Sequence, residues 1–215
     1  MTCSERLFKM SIKVITVPVG PLSANCHIVY AFDNEKALII DPGGDFSLIM
    51  QRLNAINKVP GAVILTHGHF DHIMATADFQ ASLVPVYMHK ADEVLVNGSG
   101  NLAKYFGLKM QPFILDNRLI EGDFNICVFN LSVIETPGHT AGSVCIQIEN
   151  AIFTGDTLFL DSYGRTDFPS GNEQSLIASV KKLFALKGDF ILYSGHGECT
   201  TLDRERNHNM INYLF

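Results

Sequence analysis

The segment THGHFDH, residues 66–72, contains three of the chain's eight histidines and one aspartate. His67 and His69 flank a single glycine, and this spacing lets both imidazoles face one ion from an extended loop. Asp71 and His72 follow directly and add an oxygen and a nitrogen ligand. Because burying four such groups without a partner is costly, the segment predicts a metal site.

Four further polar residues also stand just after strand-like runs. Asp41 follows ALII, while His139, Asp156 and His196 lie in PGHTAG, TGDT and SGHG. If these strand ends share one edge of a sheet, their side chains converge on a single site. One ion cannot take four ligands from so short a loop without strain, so we expect two neighbouring ions. Imidazole and carboxylate ligands suit zinc, and also iron or manganese.

The pattern of apolar runs favours a layered α/β protein. Runs rich in β-branched residues predict strands at 12–19, 26–32, 36–41, 61–66, 84–89, 124–130, 131–136, 143–149, 151–156 and 189–194. Helical spacing predicts helices at 45–56, with Asp45 as N-cap, at 172–186, and from Arg204 to Tyr213. Three cysteines in apolar segments are expected to fill the core: Cys26, Cys127 and Cys145.

Composition and charge narrow the range of functions. A net charge of −6 argues against a nucleic-acid surface as the main partner. No apolar run approaches the roughly 18 residues that a membrane span needs, and the first residues lack a signal peptide's apolar region. We therefore expect a cytoplasmic protein with no membrane or nucleic-acid partner. Residues 1–10 are expected to be a disordered extension, and 11–215 one domain.

The motifs THGHFDH, PGHTAGS, FTGDTLF, GRTDFP and SGHGECTT match, in order, those of the metallo-β-lactamase-fold hydrolases. The chain most resembles the glyoxalase II-like branch, in particular its short single-domain bacterial forms, from about Val17 to Asn207. The resemblance implies an αββα sandwich, in which two mixed β-sheets are flanked by helices.

The resemblance also implies a division of ligands between two divalent ions, with zinc expected first. His67, His69 and His139 would hold one ion, and Asp71, His72 and His196 the other. Asp156 would bridge the two ions, and Asp41 would support the site from behind its ligands. A hydroxide between the ions would attack the carbonyl of a small thioester or ester, such as S-lactoylglutathione. Asp71 and Asp156 are accordingly the expected catalytic carboxylates.

Four residues are candidates for substrate contact: Tyr105, Phe106, Tyr163 and Arg165. For Arg165 an alternative is an ion pair with Asp167 that braces the loop. The longer glutathione-thioester hydrolases bind glutathione with a C-terminal helical region, for which we expect no counterpart before Phe215. A mononuclear iron persulfide dioxygenase, which would need only His67, His139 and Asp156, and a lactonase remain alternative functions.

Overall fold

The computed structural model describes residues 11–215, so the extension expected at residues 1–10 lies outside the described residues. The strands are β1 Lys13–Val19, β2 Ala24–Tyr30, β3 Lys36–Ile40, β4 Val59–Leu65, β5 Val86–His89, β6 Asn117–Leu119, β7 Gly122–Ile126, β8 Phe129–Glu135, β9 Val144–Ile148, β10 Ala151–Gly155, β11 Leu158–Phe159, β12 Ser162–Tyr163, β13 Ile191–Ser194 and β14 Thr200–Thr201. The α-helices are α1 Phe46–Ala55, α2 Phe70–Ile73, α3 Thr76–Ala81, α4 Glu93–Val96, α5 Glu173–Phe184 and α6 Leu202–His208. The 3₁₀ helices are Lys90–Asp92, Ser99–Asn101, Ala103–Phe106 and Met210–Leu214.

Two six-stranded sheets form the centre of the fold. The first has the order β1-β2-β3-β4-β5-β6, antiparallel as far as β3 and parallel beyond it. The second has the order β14-β13-β10-β9-β8-β7, with β10 and β13 as its parallel pair. Both sheets are therefore mixed, as the predicted fold class requires.

Three apolar layers hold the sheets and helices together. Between the sheets, Ile64 of the first packs in one cluster with Ile146 of the second. Phe79 of α3 joins α1 in covering the outer face of the first sheet. Val180 of α5 and Leu202 of α6 cover the outer face of the second. The order helix, sheet, sheet, helix confirms the expected αββα sandwich.

Some local predictions need correction. Asp45 is the N-cap residue of α1, as predicted, but its side chain makes no capping hydrogen bond: the residue has φ +48°, and its carboxylate accepts the N–H of Gly20 at 2.8 Å. The run predicted as one strand at 124–130 is divided by a turn at Cys127, which has φ +57°. Cys127 is therefore only half-buried, whereas Cys26 and Cys145 fill the core as predicted.

The C-terminal α-helix also ends earlier than predicted. Instead of one helix from Arg204 to Tyr213, α6 ends at His208 and a 3₁₀ helix begins at Met210. Asn209 separates the two, and its amide group donates to backbone oxygens of Phe159 and Ser162. Within residues 11–215, no α-helix has the length and apolarity to cross a membrane.

Candidate metal centre

The polar residues singled out in the sequence stand after the carboxyl ends of five strands, at one edge of the sandwich. They are Asp41 after β3, His67 to His72 after β4, His139 after β8, Asp156 after β10 and His196 after β13. The structure brings all of them together within one cluster of rings and carboxylates. The convergence expected from the strand ends is therefore present.

Three buried histidines form the first group. The ligand atoms of His67, His69 and His139 lie within 4.8 Å of one another. Nδ1 of His69 and Nε2 of His139 are only 2.8 Å apart. Nδ1 of His139 lies 2.7 Å from the backbone oxygen of Arg165, and this carbonyl oxygen can only accept a hydrogen bond. His139 therefore carries its proton on Nδ1, and the Nε2 lone pair faces the group.

Asp71, His72 and His196 form the second group, again within 4.8 Å. Oδ2 of Asp71 lies 3.2 Å from Nε2 of His196 and 3.7 Å from Nε2 of His72. His72 is fully buried, whereas the His196 side chain is about one-third exposed. The second group is therefore the more open of the two toward solvent.

Asp156 lies between the two groups. Its Oδ1 is 3.4 Å from Nε2 of His72, and its Oδ2 is 3.6 Å from Nε2 of His139 and 3.8 Å from Nε2 of His196. A Cβ atom at Gly195 would stand 2.3 Å from Oδ1 of Asp156 and 2.6 Å from Cε1 of His72. The glycine next to His196 is thus required for this close approach of the loops.

Asp41 stands beside the centre with both carboxylate oxygens held by hydrogen bonds. Its Oδ1 accepts the N–H of Thr66 at 2.7 Å, and its Oδ2 accepts the Thr66 hydroxyl at 2.6 Å and Nδ1–H of His72 at 3.0 Å. Asp41 also lies within 4.8 Å of His67 and His72, a spacing that suits a third metal group. Since its oxygens already accept three hydrogen bonds, its contacts suit the expected role of orienting the candidate ligands.

The same contacts set the tautomer of His67 and His72. Because the Thr66 hydroxyl donates to Asp41, it accepts the Nδ1–H of His67 at 3.1 Å. His72 likewise donates from Nδ1 to Asp41. Both rings are thereby held with the Nε2 lone pair turned inward.

Several ring and carboxylate atoms of the cluster are buried without a hydrogen-bond partner. Among the described residues they include Nε2 of His67, His69 and His72, and Oδ1 of Asp156. Buried polar atoms are normally paired, and four atoms with free lone pairs in one cluster call for a partner that accepts electron pairs, such as a metal cation. Nitrogen and carboxylate donors suit a divalent metal ion, so the residues fit such a group.

The ionisation of the histidines is consistent with metal binding. Burial lowers the pKa of His67 well below its usual value and lowers the pKa of His69 to about 3. Both rings are therefore neutral at pH 7, as metal ligands must be. For His72, burial lowers the pKa, but the carboxylates of Asp156 and Asp71 outweigh this and raise it.

Asp92 is a residue of the centre that the sequence did not reveal. This fully buried carboxylate accepts the N–H of Gly68 at 2.9 Å, the hydroxyl of Thr140 at 2.6 Å and the N–H of Gly142 at 2.6 Å. Burial raises its pKa. Asp92 thus ties the loop of His67 and His69 to the loop of His139. In the sequence KADEVL it resembles an ordinary helix-start acid, and only the fold places it between the loops.

A cavity of about 380 Å³ opens over the centre. Three of the four candidates for substrate contact line it: Phe106, Tyr163 and Arg165. Tyr105 is 79% exposed and does not line the cavity. The Arg165 guanidinium donates two hydrogen bonds of 2.6 Å to Asp167. The ion pair that was the alternative to substrate contact for Arg165 is therefore present. This hydrogen-bonded pair lowers the pKa of Asp167 to about 2.

The sequence profile of the metallo-beta-lactamase superfamily matches residues 19–196, which include every ligand candidate described above. The chain belongs to the metallo-beta-lactamase superfamily. The motif resemblance found in the sequence is thereby confirmed. The two sheets and flanking helices are those of the superfamily's solved structures, and the His/Asp cluster is a metal-binding one.

Two relatives within the superfamily match nearly the whole chain. The probable metallo-hydrolase YqgX of Bacillus subtilis is 37% identical over 204 residues, or 90% of this chain and 94% of its own. The hydroxyacylglutathione hydrolase GloC of Haemophilus influenzae is 35% identical over 208 residues, or 93% and 97%.

Two solved structures share the fold of this chain over a similar span. The BLEG-1 B3 metallo-beta-lactamase has a TM-score of 0.87 and 34% identity, covering 92% of this chain and 98% of its own. A di-iron-bound form of TTHA1623 has a TM-score of 0.83 and 33% identity, covering 92% and 99%. These likenesses support divalent metal ions at the centre of a metallo-hydrolase-type enzyme.

Proposed function

We propose that the chain is a dinuclear metal hydrolase that cleaves a small thioester or ester. The observation that carries the proposal is the position of Asp156, whose carboxylate lies within 4 Å of a histidine from each ligand group. His67, His69 and His139 would hold one ion, and Asp71, His72 and His196 the other. Zinc is the first candidate, with iron or manganese as alternatives.

When bound, such ions lower the pKa of water to about 7 and polarise a carbonyl oxygen. The chain's own residues prepare the site for this chemistry. Asp41 and the Arg165 carbonyl oxygen fix the tautomers of His72 and His139. Asp71 stands beside His196 at the open side of the centre, where it can orient the attacking water and hold its proton.

The proposed reaction requires no side-chain nucleophile. Water adds to the acyl carbon, the carbon–sulfur bond of the thioester breaks, and the electron pair of that bond leaves with sulfur. One proton of the water passes to the thiolate, so that a carboxylic acid and a thiol are formed. In an ester or lactone the same step breaks a carbon–oxygen bond.

The main alternative is a mononuclear iron persulfide dioxygenase. That function would need only His67, His139 and Asp156 of the seven ligand candidates. In this chain Asp71, His72 and His196 also converge within 4.8 Å, which supports the hydrolase. The likeness to a di-iron-bound protein supports two ions but also keeps iron among the candidate metals.

β-Lactam hydrolysis is a second candidate because of the likeness to a solved B3 metallo-beta-lactamase. The sequence motifs, which resemble those of the glyoxalase II-like branch, favour a thioester. A panel of substrates tests these functions directly. The protein would be loaded with zinc or with iron and assayed with a thioester, a lactone, a chromogenic β-lactam and glutathione persulfide. We expect thioester or lactone hydrolysis with zinc. Oxygen consumption with the persulfide, and no ester or thioester hydrolysis, would refute the proposal.

A further inference from the structure

The cavity over the centre has a largely apolar wall. Besides the histidines and aspartates, six apolar side chains line it: Leu22, Phe70, Leu102, Phe106, Phe159 and Phe168. Phe106 packs against Phe70 with ring centroids 4.8 Å apart, and Phe168 packs edge-on against His69 at 5.7 Å. Through Phe168, the apolar wall reaches the candidate ligand His69.

Arg165 is the one lysine or arginine among the described residues that line the cavity. Its guanidinium lies 4.0 Å from the centre of the Phe168 ring and makes two hydrogen bonds to Asp167. Its charge is thus already matched by a carboxylate of the same loop. An anionic substrate would have to compete with Asp167 for this cation.

The substrate's carbonyl must lie at the His/Asp cluster, so the rest of the substrate meets this wall. A carboxylate placed there would lose water without gaining an unpaired cation, which is costly. An apolar group placed there would be stabilised by burial. The lining thus discriminates between substrates by the charge of the part remote from the carbonyl.

We propose that the cavity selects small thioesters or esters whose remote part is uncharged and apolar, in preference to thioesters of glutathione, which carries two carboxylates. This inference rests on the proposed hydrolytic function for its reaction. It adds the class of substrate. The determinants of specificity would be the Arg165–Asp167 ion pair and the apolar wall, which includes Phe106 and Phe168.

The experiment compares two S-benzoyl thioesters that share one acyl group, one of N-acetylcysteamine and one of glutathione. Their S-phenacyl thioether analogues, which cannot be hydrolysed, are compared by isothermal titration calorimetry with the metal-loaded protein. We expect the uncharged thioester to have a kcat/KM about tenfold or more above that of the glutathione thioester. The uncharged analogue should bind more tightly by a similar factor.

Two variants with matched controls test the named residues. Asp167→Asn should raise kcat/KM for the glutathione thioester relative to the uncharged one by about three- to fivefold, because Arg165 loses its partner. Asp161→Asn, which breaks a similar exposed pair with Arg204, should leave this ratio unchanged.

Phe106→Ala should raise KM for the uncharged thioester by about tenfold with little change in kcat. Tyr105→Ala alters a neighbouring residue that lies outside the cavity, and it should leave KM for the uncharged thioester unchanged.

The outcomes separate the two proposals. Tighter binding of the glutathione analogue, or an unchanged ratio in Asp167→Asn, would overturn the inference about substrate class. Absence of hydrolysis of both thioesters, with the expected order of analogue binding, would refute the hydrolase but leave the inference standing.

Discussion

At the scale of single residues, the centre depends on which nitrogen of each histidine is free. The proton of His72 is directed to Asp41, that of His67 to Thr66 and that of His139 to the Arg165 backbone oxygen. The ligand types were recognisable in the sequence because three histidines and an aspartate crowd into one short segment. Their tautomers were not, because they depend on Asp41 and on the Arg165 backbone oxygen, which only the fold brings beside the histidines.

Asp156 is the residue on which the pairing of the two ligand groups depends. Asp156→Asn removes the negative charge between them while keeping the shape of the side chain. We expect the bound metal to fall from two ions per chain toward one, and thioester turnover to fall by roughly a hundredfold or more. Metal analysis after gel filtration, together with the thioesterase assay, checks this. Full metal content with normal turnover would mean that Asp156 does not bridge the groups.

Asp92 should affect the centre without touching a ligand. Asp92→Asn replaces one accepting oxygen by a donor and leaves a buried donor of Gly68, Thr140 or Gly142 without a partner. We expect about 1–3 kcal/mol of lost stability and about tenfold weaker metal binding. Chemical denaturation and a competitive chelator titration measure the two effects. Glu93→Gln, which alters an exposed pair with Arg118, serves as the control and should change neither.

At the scale of elements, the sequence predicted the parts of the fold that have a clear apolar period. Nine of the ten strand-like runs and two of the three predicted helices correspond to observed elements with small shifts at their ends. The missing side-chain cap at Asp45 and the turn at Cys127 are local departures from the prediction. Each residue adopts a positive φ that neither composition nor periodicity reveals. The short strand β6 was missed because three residues are too few to show a period.

Gly155, at the end of β10, tests how tightly the elements around the centre are packed. It has φ +47°, and an added Cβ would stand 2.3 Å from the Thr66 hydroxyl oxygen that bonds to Asp41. Gly155→Ala should therefore cost roughly 2–5 kcal/mol of stability, from backbone strain and overpacking together. Gly107→Ala shares a positive φ but meets nothing within 4 Å, and should cost about 1 kcal/mol. Equal unfolding free energies for the two variants would contradict this.

At the scale of the whole molecule, the metal centre joins both sheets. Its candidate ligands follow β4 of the first sheet and β8, β10 and β13 of the second. The sequence could place these residues at strand ends, but only the pairing of the sheets decides that all the ends meet at one edge. A bound ion should therefore stabilise the entire sandwich, since it binds the folded chain and not the unfolded one.

Chelation tests this coupling. If ions occupy the centre at about a thousandfold excess over Kd, their removal costs about 4 kcal/mol, which corresponds to a fall in Tm of roughly 8–16 °C for a chain of this size. Differential scanning calorimetry before and after treatment with a chelator gives the shift, and added zinc should restore the original Tm. An unchanged Tm after complete removal of metal would show that the centre does not join the sheets energetically.

The most direct test of a dinuclear hydrolytic centre is the metal content of the purified wild-type chain, measured by plasma mass spectrometry alongside thioester hydrolysis. We predict about two divalent ions per chain, with hydrolysis lost on their removal and regained on their return. A single iron per chain, with no hydrolysis and with oxygen consumed in the presence of a persulfide, would contradict the account.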